Sequence, residues 1–327
     1  MKVLVVGGAG YIGSHTVYEL VRAGHQVVVY DNLSSGLMKN VHPKAQFYLG
    51  DILDQESLSS MLEAETTKGA FDVAMHFAAK LIVEESVSQP LAYYHNNVEG
   101  LRSLLSVLIK HSVRRLVFSS TAAVYGQPAT NICLESDPTI PINPYGETKL
   151  ACEKMIQWVA AAHDLQFCIL RYFNVAGADA SLEIGLQHDQ LTHLIPLIMQ
   201  TALGQRDMFY IFGSDYDTPD GTCIRDYIHV TDLAQAHVLG AEYLLKTDES
   251  LIANLGSGSG YSVRQVLDTT LRFLDLPYEY TSRRPGDPAC LIADITHARE
   301  VLGWQPKLDL QTILQSDYDF RKKLMGG

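Results

Sequence analysis

Basic residues are scarce in this 327-residue chain: 25 Lys and Arg stand against 37 Asp and Glu, a formal net charge of -12. Nucleic acid requires a positive surface, so it is excluded as the main partner. Long apolar runs are missing too. No segment approaches the roughly 18 residues of a spanning helix, and no membrane partner is expected. Cysteine is sparse: Cys133, Cys152, Cys168, Cys223 and Cys290 are odd in number and contain no C-x-x-C pair. That excludes a disulfide framework and points to reduced thiols in a cytoplasmic protein. There are 12 histidines, but no H-E-x-x-H motif. His188 and His193 lie five apart without a cysteine partner, so no metal site is expected. Internal repeats, low-complexity runs and heptads are absent. Lys2 and the apolar residues after it look like the start of a signal peptide, but the run breaks at Gly7 with no A-x-A site in a fitting place.

Apolar residues make up 47% of the chain and charged residues 19%, which fits a globular protein with room for two domains. The chain is organised around KVLVVGGAGYIG, Lys2 to Gly13. Val3 to Val6 is an unbroken apolar run with a β-branched bias, as in a parallel strand buried on both faces. Gly7, Gly10 and Gly13 follow in G-x-x-G-x-x-G spacing, and Ser14 to Ala23 reads as a helix ended by Gly24. A strand that passes through glycines into a helix N-terminus gathers bare N–H groups and the positive dipole end, which favours a pyrophosphate. A second buried run, Gln26 to Tyr30, ends in Asp31. An acid about 20 residues beyond the glycines binds adenosine ribose hydroxyls in such folds and repels a 2'-phosphate. The cofactor expected is therefore NAD rather than NADP.

Further along, residues 46–50 read as a third strand with Asp51 and Ile52 at its end. Asp51 is placed either on the adenine amino group, with Ile52 packed on the ring, or as a simple helix cap. Phe71 to His76 reads as a fourth strand ending in Phe77, Ala78 and Ala79, at the carboxyl edge where open α/β sheets bind ligands. Residues 90–110 form a long helical segment with Asn96 and Asn97 near its start. Arg115 to Phe118 is a fifth strand, followed by Ser119, Ser120 and Thr121, which taken alone cap a turn. Pro144 then leads through Tyr145, Gly146, Glu147, Thr148 and Lys149 into a long helix that runs to His163. Tyrosine and lysine at i and i+4 share a helix face. By spacing alone they are an ordinary amphipathic pair. For Tyr145 to act as a base at neutral pH its pKa must fall by about 3 units, or about 4 kcal/mol. Lys149 together with a cationic nicotinamide would supply that.

The glycine turn, the Ser/Thr after the fifth strand and Tyr-x-x-x-Lys together resemble the extended short-chain dehydrogenase/reductase family, and within it the nucleotide-sugar epimerases. The stretches that carry the resemblance are GGAGYIGSHT (7–16), DNLSSG (31–36), YYHNNVEG (93–100), FSSTAAVYG (118–126), NPYGETK (143–149), RYFNVAGA (171–178), YIFGSDYDTPDGTCIRDYIHVTDLA (210–234), NLGSGSGYSV (254–263) and RRPGDPA (283–289). They cover nearly the whole chain in order. The implied fold is α/β: a Rossmann-like doubly wound parallel sheet in an NAD-binding domain over 1–175, to which 221–245 returns. A smaller mixed α/β substrate-binding domain over 176–327, with loop-rich residues 176–220, completes it.

The resemblance implies a UDP-sugar substrate, epimerisation of UDP-hexoses at C4 through a 4-keto sugar, and a homodimer formed through the helices that start near 90 and 145. The catalytic residues implied are Tyr145, Lys149 and Thr121. The NAD site implied comprises Gly7, Gly10, Tyr11, Ile12, Gly13, Asp31, Asn32, Ser35, Gly36, Asp51, Ile52, Phe77, Ala78, Ala79, Asn96, Ser119, Tyr145, Lys149 and Tyr172. Arg225 and Arg284 would grip the sugar-nucleotide diphosphate, since guanidinium forks match phosphate oxygens. Asn174 would lie near the same diphosphate, Tyr210 to Phe212 along the uracil and Asp287 on its ribose, with Thr121 on the sugar. Three departures from the family pattern stand out. The lysine of the 80–86 segment is shifted to Lys80, which puts a phosphate contact in doubt. His193, before Leu194, replaces an asparagine. Cys290 stands where some members carry tyrosine, which leaves room for N-acetylated UDP-hexoses. A 4,6-dehydratase is disfavoured because Ala122 and Ala123 follow Thr121 where that chemistry needs an acid and a base. A non-catalytic NAD-binding sensor is disfavoured because Tyr145 and Lys149 are both present.

Overall fold

The computed structural model describes residues 1–128, 130–188, 191–284 and 288–326. Its first strand, β1 (Lys2–Val6), is buried along its whole length, as an apolar strand covered on both faces must be. Helix α1 (Tyr11–Arg22) follows, starting three residues earlier than the sequence suggests because Gly10 already serves as its N-cap. The chain continues through β2 (Gln26–Asp31), β3 (Gln46–Leu49), α2 (Gln55–Thr66) and β4 (Val73–His76). The expected single helix over 90–110 is interrupted. After α3 (Val83–Ser88) and α4 (Pro90–Tyr93), a π-helical stretch at Tyr94–Glu99 precedes α5 (Gly100–Lys110). Strand β5 (Arg115–Thr121) runs three residues further than expected, so Ser119, Ser120 and Thr121 are its last residues rather than a turn beyond it.

After the short β6 (Ile132–Cys133), helix α6 (Pro144–His163) opens with the Asn143 side chain accepting from Gly146 N and Pro144 in its first turn. Then come β7 (Gln166–Tyr172), β8 (Asn174–Ala176), α7 (Leu194–Ala202), β9 (Phe209–Phe212), β10 (Ile224–Arg225), β11 (Tyr227–His229), α8 (Val230–Thr247) and β12 (Leu251–Leu255). Loop-rich 176–220 thus holds a helix and a strand. The chain ends with β13 (Tyr261–Ser262), α9 (Val263–Thr270), β14 (Tyr278–Thr281), β15 (Cys290–Ala293), α10 (Thr296–Leu302) and α11 (Leu310–Gly326).

Seven parallel strands form one sheet in the order β12-β7-β5-β4-β1-β2-β3. Alternation along each strand feeds two cores. Val3, Val5, Val27, Val29 and Met75 point to the side covered by α1 and α8, whereas Leu4, Val6, Val28 and Phe118 point to the side covered by α2, α5 and α6. The return of the later chain includes more than α8, because β12 joins this sheet beside β7. A third core gathers α7, β9, α9 and α11 around Ile198, Met199, Ile211, Val266, Leu267 and Leu314. Chain order reverses between β1 and β4, and that reversal opens a crevice at the carboxyl ends of the strands.

Candidate active site

The turn after β1 lies at this crevice. Gly7 has φ +83°, and a side chain there would meet the backbone of Ala78, with Cβ 2.5 Å from its nitrogen. The small residues after β4 and the glycine turn therefore fit each other. Gly13 serves the same close packing inside α1, since a Cβ there would lie 2.2 Å from the Gly7 carbonyl oxygen. Gly10 is different. It has φ -74°, which any residue adopts, and its nearest neighbour to an added Cβ is the Gly7 oxygen at 3.5 Å. Nothing in the protein requires a glycine at this position. Because no side chain caps α1 either, the N–H groups of its first turn, from Tyr11, Ile12 and Gly13, face an approach that only a missing side chain keeps open. These features fit the pyrophosphate of a dinucleotide.

Asp31 closes the turn from the side. One oxygen of its buried carboxylate accepts from Ala9 N at 2.9 Å and the other from Leu33 N at 2.8 Å, which fixes the acid at the edge of the crevice. Gly36 lies against Ala9, with Ser35 exposed beside it. Asn32 donates to Asp51 at 2.9 Å. The cap of α2 is Asp54, whose side chain accepts from Ser57 N, so the reading of Asp51 as that helix's cap is corrected. Ile52 is buried with its Cγ2 beneath Gly100, and it belongs chiefly to the core. Phe77 packs on His237 with ring centroids 4.8 Å apart, and Ala78 and Ala79 continue the crevice wall.

The second half of the site comes from β5 and α6. Thr121 is the last residue of β5; its hydroxyl accepts from Ala123 N at 3.2 Å and lies close enough to the phenol of Tyr145, the second residue of α6, to favour the phenolate. Lys149 is buried on the next turn of α6. Its ammonium donates to the Ser119 carbonyl at 2.8 Å and stands over the Phe118 ring. The Ser119 hydroxyl meets the hydroxyl of Tyr172, from the end of β7. Burial pushes the Tyr145 phenol up to about 12, against which the nearby Thr121 hydroxyl works, and burial draws the Lys149 ammonium down to about 8, against the nearby Cys152 and Glu153. The expected acidification of Tyr145 by Lys149 is thus not supplied by the folded chain. The ammonium is occupied by a carbonyl of β5, and desolvation dominates the phenol.

Beneath this pair lies a buried network that the sequence reading missed. Ser120 donates to Glu153, which forms a 2.6 Å ion pair with Arg171. The guanidinium in turn donates to the Tyr125 hydroxyl at 3.0 Å, and that hydroxyl donates to Asn254. Glu153 lies one helix turn after Lys149, the one signal that could have marked it. Asn97 was also missed as a functional residue. Its amide bridges the Lys80 backbone and the Thr148 hydroxyl from within the π-helical stretch, a distortion common at functional sites. The neighbouring Asn96 donates to Asn97 at 3.0 Å and is half-buried.

The later chain supplies the opposite wall. Asn174 pairs with Tyr227 across β8 and β11, and its amide is turned to the Asp226 carbonyl. Arg225 donates to the carbonyls of Ile224 and Pro288, both at 2.8 Å. Arg284 stacks over the Phe212 ring at 4.1 Å, while Tyr210 is exposed on the same strand. His193 is the N-cap of α7 without a side-chain bond, and Leu194 begins that helix. Cys290 is buried at the start of β15, which pairs with β10 at Ile224. Lys80 forms a 3.3 Å ion pair with Glu85, consistent with the doubt about a phosphate contact. Asp287 lies outside the described residues.

Comparison with known proteins places this geometry. Residues 3–256 match the model of the NAD dependent epimerase/dehydratase family. The chain is similar to a UDP-glucose 4-epimerase of Halalkalibacterium halodurans, at 49% identity over 99% of this chain and 96% of the relative. It is also similar to the crystal structure of UDP-glucose 4-epimerase from Brucella ovis in complex with NAD, at TM-score 0.93 and 46% identity over 97% of each chain. The structure of the UDP-Glc/GlcNAc 4-epimerase from Campylobacter jejuni aligns at TM-score 0.87 and 41% identity, covering 98% of this chain and 99% of that one.

Proposed function

The chain belongs to the NAD dependent epimerase/dehydratase family, and from that premise we propose that it is a UDP-hexose 4-epimerase, an isomerase interconverting UDP-glucose and UDP-galactose through a 4-keto sugar. The observation that carries this reading is the Tyr145 phenol beside the Thr121 hydroxyl at the carboxyl end of β5, with Lys149 one turn further along α6, in the same sheet whose β1 leads into the glycine turn.

The NAD-binding portion is residues 1–175 with the returning segment that contains α8 and β12, and the remainder forms the substrate portion. Gly7, Gly10 and the first turn of α1 hold the pyrophosphate. Asp31 receives the adenosine ribose, with Asn32, Ser35, Gly36, Asp51 and Ile52 around the adenosine. Phe77 to Ala79, Asn96, Ser119 and Tyr172 line the remainder. Bound NAD supplies the acceptor and donor of hydride at the sugar C4.

With the positive charge of bound NAD beside Lys149 offsetting the desolvation of its phenolate, Tyr145 would take the proton of the sugar 4-hydroxyl and later return it, and Thr121 would hold the same oxygen by a hydrogen bond. Lys149, fixed by Ser119, places a positive charge beside the reacting groups. Arg225 and Arg284 grip the diphosphate, Asn174 lies near it, and Phe212 and Tyr210 line the base. Affinity concentrated on the nucleotide leaves the hexose lightly held, which lets the 4-keto sugar present either face.

A second substrate class follows from Cys290. A small buried side chain at the head of β15 leaves room for an N-acetyl group, so the pocket also admits UDP-GlcNAc and UDP-GalNAc. Association as a homodimer accounts for exposed apolar side chains on α3, α4 and α6, where Val87 is 64%, Leu91 83% and Trp158 78% exposed. A cytoplasmic location accords with the absence of disulfides among the described residues, and no helix among them is long and apolar enough to cross a membrane.

Incubation with each UDP-hexose, separation of the products and a spectrum of reduced nicotinamide on substrate addition test the function. UDP-galactose should form from UDP-glucose, and Tyr145→Phe should abolish the reaction while NAD stays bound. Equal turnover by parent and Tyr145→Phe would overturn the assignment.

A further inference from the structure

Four polar side chains beneath the catalytic strand end are sealed from solvent: Ser120, Glu153 and Arg171 are bonded to one another, and Lys149 is bonded to the Ser119 carbonyl beside them. Glu153 and Ser120 are fully buried, and Arg171 and Lys149 nearly so. The Arg171 guanidinium addresses the Glu153 carboxylate through Nε at 3.0 Å and Nη2 at 2.6 Å. Removing two charges this completely from water is costly, and an apolar pair of similar volume is often as stable. Stability is therefore a weak reason for the pair, and its location suggests a better one. Glu153 lies on the face of α6 that bears Lys149, Ser120 sits between Ser119 and Thr121, and Arg171 directly precedes Tyr172 on β7. Thr121 is thus one position from Ser120, Lys149 one helix turn from Glu153, and Tyr145 two.

We propose that Glu153 and Arg171 form a positioning pair for the reaction, with Glu153 acting through Lys149 to keep its ammonium charged and through Ser120 to fix the end of β5. This rests on the epimerase reading only in the roles given to Lys149 and Thr121. Titratable groups around Lys149 come from each packed element: Tyr145, Cys152 and Glu153 on α6, His76 on β4, and Tyr172 and Arg171 on β7. Glu153 is the one among them that the network fixes by both an ion pair and a hydroxyl hydrogen bond. Burial draws Lys149 down to about 8, and Glu153 opposes that fall.

Removing either partner changes the field at Lys149 with opposite sign. Glu153→Gln leaves the guanidinium uncompensated, whereas Arg171→Gln leaves the carboxylate so. The test is an NMR titration of 13C-lysine in the NAD-loaded protein without sugar, with the Lys149 signal assigned from its loss in Lys149→Met. The Lys149 titration should move down by about one pH unit or more in Glu153→Gln and up in Arg171→Gln. The alkaline limb of kcat for UDP-hexose conversion should follow in the same directions, while KM stays within about twofold. Unmoved titrations, or shifts of the same sign in both variants, would reduce the pair to a structural role and overturn the proposal. If Glu153→Gln does not fold, Arg171→Gln carries the test alone: a rise is expected, and no shift or a fall overturns it. The titration needs no sugar, so opposite shifts without sugar interconversion would sink the epimerase reading and leave the pair standing.

Discussion

Substituting alanine at Gly10 and at Gly13 separates a glycine kept for a ligand from one kept for the fold. At Gly10 the backbone angles suit alanine, and the new Cβ would be in ordinary contact at 3.5 Å with the Gly7 oxygen. Two small terms then oppose each other. Lower entropy of the unfolded chain stabilises by about 0.4–1 kcal/mol, and a poorer N-cap costs a similar amount. The stability of Gly10→Ala without cofactor should lie within about 1 kcal/mol of the parent. At Gly13 the Cβ would sit 2.2 Å from the Gly7 oxygen and 3.0 Å from the Gly8 Cα, both backbone atoms of a turn that Ala78 already confines. Overpacking without room to retreat costs roughly 1–3 kcal/mol, and Gly13→Ala belongs at the upper end. NAD affinity should reverse the ranking of harm at Gly10: a methyl group in the phosphate approach should weaken binding at least about tenfold, or about 1.4 kcal/mol. Urea unfolding of the stripped proteins gives the first quantity, and titration with NAD gives the second. Parental NAD affinity in Gly10→Ala, or equal destabilisation of the two variants, would refute the assignment of the glycine turn.

Three further outcomes follow. Cys290→Tyr should lower the ratio of UDP-GlcNAc to UDP-glucose turnover at least about tenfold, read by separating products from parallel incubations; an unchanged ratio assigns Cys290 to packing alone. His15, His76 and His237 are buried, each with one ring nitrogen lacking a partner, and burial holds them at about 4, about 3 and about 4. Their folded pKa values lie below the unfolded value of about 6.5, so their stability contribution is complete above that pH and is lost as pH falls from there toward 4, at up to about 1.4 kcal/mol per unit for each. The urea midpoint should therefore drop between pH 7 and pH 5, and a flat profile there contradicts the burial argument. Lys80→Met should leave KM for UDP-glucose within about twofold, because its ammonium pairs with Glu85 at 3.3 Å on a partly exposed surface. A tenfold rise would return Lys80 to the substrate site.

Local signals in the sequence were enough for the NAD half of the fold. Val3 to Val6, the glycine spacing and Asp31 are contiguous, so strand, turn, helix and acid can be read without knowing what packs on them. Boundaries shifted where tertiary contacts override local cues. Ser119 to Thr121 extend β5 because β7 pairs with them through Leu170, Arg171 and Tyr172, and no propensity of serine for a strand would announce that. The π-helical interruption at Tyr94–Glu99 is tied to the bond from Asn97 to Thr148, 51 residues away in the chain. Helix α7 was hidden for a similar reason: its apolar face is explained only by the core it shares with α9 and α11. Glu153 and Arg171 were invisible as a pair because each looks like an ordinary charged residue of its own element, and only the fold removes both from water.

The sign of the Tyr145 shift shows where reading from spacing stops. A tyrosine and a lysine four residues apart on a helix suggest mutual influence, with the ammonium stabilising the phenolate. In the folded chain the lysine is held by the Ser119 carbonyl and the phenol is desolvated, so its pKa lies at about 12. Covering the pair costs the phenolate more than the protein's own groups return, and the nearby group that favours the phenolate is the Thr121 hydroxyl. Thr121→Val should therefore push the Tyr145 titration higher still, while Thr121→Ser, which keeps the hydroxyl, leaves it near the parental value. Ultraviolet difference titration of the stripped protein, with Tyr145→Phe as the reference that removes this one signal, distinguishes the two variants. Equal titrations in Thr121→Val and Thr121→Ser would mean that the hydroxyl does not act on the phenol, and the assignment of this pair to proton transfer would lose its structural basis.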